Sequence, residues 1–137
     1  MAAPTVKALR RAIVAVLDTA VAITSLTGRP RTNVVPWSAL ADVQLPVIAY
    51  HIVGWRKIAG LGDVRMQQVQ FTAVAPNEEL ADDLIEAIQS TFTAAALAAL
   101  TPPIGAYVVA TSGEPLGFDR DADSARSDLT LTLHATA

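Results

Sequence analysis

Hydrophobic and polar residues change period several times along this chain, and each change marks an element. Over residues 5–17, Val6, Leu9, Ile13, Val16 and Leu17 recur three and four apart, as the buried stripe of an amphipathic helix does. Pro4 suits the start of that helix, where a missing N–H removes no intrahelical bond. Val21, Ile23 and Leu26 extend it by a short further segment, which Gly28 and Pro30 close. Residues 29–42 read as an irregular connector with a brief strand at 32–35, and Trp37 reads as a lid over the sheet edge.

From Leu45 and Pro46 to Trp55 the period becomes two. Ile48, Tyr50 and Ile52 share one face, and Val47, Ala49, His51 and Val53 the other. Both faces are largely apolar, which predicts a central strand. Residues 54–63, with Gly54, Gly60 and Gly62, read as a turn or mobile loop, and residues 64–75 as the returning antiparallel strand. There Val69, Phe71 and Ala73 alternate with Gln68, Gln70 and Thr72, the pattern of a sheet with one wet face.

Asn77 is a suitable N-cap for a helix whose first turns carry Glu78, Glu79, Asp82, Asp83 and Glu86, favourably placed at the positive end of the dipole. Leu80, Leu84, Ile88 and Phe92 form its buried stripe, and the alanine-rich stretch that follows continues it to Leu100, before Pro102 and Pro103. Residues 104–112 predict a strand, 113–124 a loop, and 126–136 a last strand with Leu129, Leu131 and Leu133 opposite Thr130, Thr132 and His134. The expected fold is α+β, a mostly antiparallel sheet with two main helices packed on one face. Its core is expected to contain Leu9, Ile13, Val16, Tyr50, Ile52, Val69, Phe71, Leu80, Leu84, Ile88, Leu129, Leu131 and Leu133.

Composition narrows the functions this fold could carry. The 137 residues are the size of one domain, expected over 1–137, and 52% hydrophobic against 17% charged residues exclude a disordered tail. A net charge of −3 supplies no basic field for duplex binding. Without cysteine there is no disulfide, no thiolate nucleophile and no cysteine metal site. Lys7, Arg10 and Arg11 precede an apolar run at residues 13–17, but Asp18 ends it short of the length a signal segment needs, so a cytosolic origin is expected.

Candidate chemistry is sparse. His51 and His134 are isolated strand residues with no nucleophile or orienting acid in pattern. Asp119, Asp121 and Asp123 alternate like the start of a calcium loop, but Ser124 and Thr130 stand where that loop needs glycine and glutamate. Gly60 and Gly62 lack the third glycine and following helix of a dinucleotide fingerprint. No catalytic, cofactor or metal residue is therefore assigned. One constellation stands apart: Trp55, Arg56 and Lys57 lead into Ile58 and Leu61 on an expected hairpin tip. These five residues are the candidate partner or subunit interface, since tryptophan and arginine are frequent anchors of such surfaces. The alternative for Trp55 is a cap over the core.

Several segments together carry a family likeness. They are the opening helix with Ala8-Leu9-Arg10-Arg11-Ala12-Ile13; residues 31–36, followed by Leu45-Pro46-Val47-Ile48-Ala49-Tyr50; the Val69-Gln70-Phe71-Thr72-Ala73 strand running into the helix at 78–88; and the closing Arg126-Ser127-Asp128-Leu129-Thr130-Leu131 strand. Over nearly its whole length the chain resembles the small tail-completion, or tail-terminator, proteins of long-tailed bacteriophages and related tailed particles. The resemblance implies a non-enzymatic structural protein without cofactors, assembled in the host cytoplasm and resident in the virion at the head-tail junction. It further implies a homo-oligomeric ring, commonly a hexamer, that caps the head-proximal end of the tail tube. That ring would touch the tail tube protein and a head-completion or connector protein, and would pass genome DNA without reading its sequence or meeting a membrane. A head-closure or connector-adaptor protein and a cellular α+β ligand-binding module are the alternatives.

Overall fold

A computed structural model describes residues 5–27, 34–36, 45–57, 64–93 and 106–136. The helical stripe at the amino terminus forms α1 (Val6–Thr19), which Thr5 caps by accepting the Ala8 N–H at 3.1 Å. Its period brings Leu9, Ile13, Val16 and Leu17 into the core and leaves Lys7, Arg10 and Arg11 in solvent. Ala20, in an extended conformation, interrupts the helix before α2 (Val21–Thr27) resumes it.

Among the described residues five strands make one sheet: β1 (Val34–Pro36), β2 (Val47–Lys57), β3 (Val64–Ala75), β4 (Ala106–Asp119) and β5 (Ser124–Thr136), in the order β1-β2-β3-β5-β4. Of their pairings, β1–β2 is parallel and the other three are antiparallel. The architecture is α+β, as the alternation and helical stripes imply. The expected central strand is central over residues 48–50, where β2 lies between β1 and β3.

Helix α3 (Glu78–Thr91) follows β3 directly, with Asn77 accepting the Leu80 N–H at 2.8 Å as the N-cap. It packs across β3 and β5, and α1 and α2 pack against it. Leu84, Ile88 and Phe92 meet Val69 and Phe71 of β3 and Leu129, Leu131 and Leu133 of β5 in one core. Tyr50, Ile52 and Leu80 are half-buried at its margin. The Phe71 and Phe92 rings lie 5.5 Å apart, tilted by 33°. Ten of the thirteen residues expected in the core are buried there, and Tyr50, Ile52 and Leu80 are the three that are not. No described helix is long and apolar enough to cross a membrane.

Four boundaries differ from the sequence expectation. Residues 113–119, read as loop, are the second half of β4, and β5 begins at Ser124, two residues early. Only residues 120–123 turn, with Asp119 accepting the Asp121 N–H at 3.0 Å and Asp123 at φ 52°. Glycine and proline lowered the strand signal here, yet an edge strand tolerates both. The register shift between Pro115 and Gly117 accommodates these two residues, with Gly117 at φ 77°, and a second shift lies between Val108 and Ala110. Likewise β2 runs through Gly54 to Lys57, because β3 pairs with it to that point. Helix α3 ends at Thr91 instead of continuing to Leu100, since Phe92 leaves helical geometry at ψ 82°. The alanine-rich stretch at 94–100, Trp37 and most of the 54–63 segment lie outside the described residues.

Candidate interface

The register of β2 against β3 decides where Trp55 points. Ile52 pairs with Val69, but the next pairs are Gly54 with Gln68 and Trp55 with Gln67, so a bulge at Val53 inserts one extra residue. Uninterrupted alternation would set Trp55 on the face of Val47, Ala49 and His51. The bulge moves it to the helix-side face, in the row of Tyr50 and Ile52, where it is 56% exposed. Val53, at the bulge, is 50% exposed. Trp55 therefore stands on the core-side face of the sheet with more than half of its surface open to solvent.

Of the five residues singled out, Trp55, Arg56 and Lys57 come together at the end of β2, opposite Gln67, Met66 and Arg65. They belong to a strand and not to a loop tip. Ile58 and Leu61 lie outside the described residues. Arg56 is exposed on the face opposite Trp55 and, with Gly54, Trp55, Met66 and Gln68, lines a shallow, open depression. This end of the sheet therefore presents an aromatic ring on one side and a guanidinium on the other.

Gln67 was not anticipated. It continues the Val69-Phe71 period by one step, so it lies on the core face opposite Leu133, and it is fully buried. Neither Oε1 nor Nε2 has a hydrogen-bond partner among the described residues. Leaving a buried amide unpaired costs stability. Gln67→Met, which keeps the length and removes both polar atoms, should therefore raise stability by about 1–2 kcal/mol in urea denaturation. A stability unchanged or lowered would show that the amide is satisfied.

The opposite sheet face is apolar and buried at Val47, Ala49 and Val74, and polar and internally bonded around Gln70, Thr72 and Asp128. Asp128 stands directly across from Thr72, whose hydroxyl donates to Oδ1 at 2.8 Å, while Gln70 Nε2 donates to Oδ2 at 3.2 Å. Thr130, Thr132 and His134 continue this face along β5 and are half-buried. The alternation of β5 placed Asp128 there, but only the β3 register supplied its donors.

The remaining candidates stay apart. His51 pairs with Gln70 and His134 with Met66, which separates them by about 13 Å along β3 at strand rise. Asp119 uses its carboxylate within the β4–β5 turn. Among the described residues no group of three or more histidine, aspartate or glutamate side chains is arranged to hold a metal ion.

A mixed five-stranded sheet with helices on one side and a partly polar second face defines the class of domain. No protein-family model matches the chain, and no curated protein matches its sequence. Among solved structures the same fold occurs in a chain from the virion of a native gene transfer agent particle. That likeness has a TM-score of 0.61 at 14% identity and covers 94% of this chain and 95% of the other.

Proposed function

We propose that this protein is a structural subunit of a phage-like particle, acting as a tail terminator. As a ring of identical subunits, it closes the head-proximal end of the tail tube and offers a surface to the head connector. The observation that carries this reading is the end-to-end fold likeness to a chain of a gene transfer agent virion, which spans nearly the full length of both chains. The sequence resemblance to tail-completion proteins supports the position at the tail end. Exposed Gln68 and half-buried Gln70, Asp128 and Thr130 give the second sheet face a hydrophilic strip that suits a wet lumen, with Arg56 and Arg126 in the same row of side chains. The exposed Trp55 suits a protein contact.

The test is removal of this gene from the parent particle. Filled heads should still form, while tails should be of abnormal length or unable to join heads. Normal, infectious particles would overturn the reading. Heads that fill and then leak, beside tails of normal length, would assign the chain to head closure instead.

A further inference from the structure

We infer that the two ends of the sheet are complementary surfaces through which one copy of this chain binds the next, head to tail. The proposal deepens the ring reading and rests on it only for the closure of the ring.

One end is basic. Arg56 is exposed, and Lys57 and Arg65 stand directly opposite one another in the β2–β3 ladder. Beside these cations stands the exposed ring of Trp55.

The other end is acidic. The register brings the β4–β5 turn, with exposed Asp119, Asp121 and Asp123, level with Ala75 at the end of β3, where α3 begins with exposed Glu78 and Glu79. Arg120 is the one cation in that turn. Apolar anchors accompany these carboxylates too, with Leu116 48% and Phe118 43% exposed.

Ten residues of β3 separate Arg65 from Ala75, or about 33 Å at strand rise, several times the Debye length at physiological salt. The two ends therefore cannot neutralise each other within one molecule, whereas two copies can do so. The two ends differ in the sign of their predominant charge, Arg120 and half-buried Arg126 being the cations beside the carboxylates of the acidic end, and both expose apolar side chains, the composition of a heterologous contact. Pairing through the free edge of β4 is the competing geometry. Glu114, Pro115 and two register shifts blunt that edge.

Reversing one end at a time tests the contact. The wild-type chain should associate with rising concentration up to about 1 mM, seen by sedimentation velocity and small-angle scattering, and added salt should weaken this. Arg56→Glu with Lys57→Glu, or Glu79→Lys with Asp121→Lys, should weaken it by at least about tenfold, because each sets like charges across the contact. Circular dichroism and melting verify that each variant is folded. An equimolar mixture of the two variants should associate again, through the intact acidic end of one and the intact basic end of the other. A wild-type chain monomeric throughout that range, folded variants that associate as wild type, or a mixture that stays monomeric would overturn the proposal. So would duplex DNA binding at the basic end without self-association. Tail defects on gene loss together with unaltered association of the variants would keep the ring reading and discard this contact. Charge-dependent association with normal tails after gene loss would do the reverse.

Discussion

Replacing Phe71 with alanine is expected to destabilise the protein by about 3–5 kcal/mol, the range for a large aromatic removed from a packed core. Phe71 has no exposed surface, and it sits in the middle row of the sheet, between Tyr50 on β2 and Leu129 on β5. Its ring meets Phe92 at the end of α3, so the vacated space would lie where helix and sheet join. Collapse into that space would have to move either the C-terminal end of α3 or two paired strands, and neither can shift without breaking other contacts. Chemical denaturation of the variant gives the number directly. Leu84→Ala, at an equally buried position on α3, should cost about 2–5 kcal/mol in the same assay. A loss below about 1 kcal/mol at Phe71 would contradict the central place that the sheet register assigns to it.

Removing the carboxylate of Asp128 is expected to cost about 1.5–3 kcal/mol, the range for hydrogen bonds to a charged group. The cost arises from what is left behind. In Asp128→Ala the Thr72 hydroxyl loses its acceptor at a position only 1% exposed, and the Gln70 amide loses its acceptor beside it. Asp128→Asn retains one carbonyl oxygen, enough for Thr72, and should lose clearly less. Urea unfolding of the two variants separates the effects. Equal losses would mean that the charge, and not the acceptor geometry, matters at this site. No loss in either would mean that water serves Thr72 and Gln70 as well as Asp128 does.

The candidate interface shows how far a one-dimensional pattern reaches. Trp55, Arg56 and Lys57 were legible as an unusual cluster because an aromatic beside two cations stands out in a chain poor in both. Their setting was not legible. Gly54 and the glycines after it signal a turn, and strand pairing with β3 overrides that signal through Lys57. The bulge at Val53 left no mark in the sequence, yet it alone selects the face on which Trp55 stands. Gln67 could have been placed on the core face from its two-residue spacing to Val69. That its amide would be unpaired there depends on which atoms surround it.

The sequence by itself determined the helices, the strands and the apolar face of each, because periods of 3.6 and 2 follow from local backbone geometry and need no partner. It also determined the Asn77 cap, since that side chain bonds an N–H three residues on. Tertiary structure decided the strand order, the full length of β4, the acceptor role of Asp128 and the separation of basic and acidic ends. Each of these depends on hydrogen bonds between residues far apart in the chain, such as Thr72 with Asp128. Glycine and proline in β4 oppose a strand locally, and pairing with β5 outweighs them because every ladder bond satisfies backbone groups that would otherwise need water.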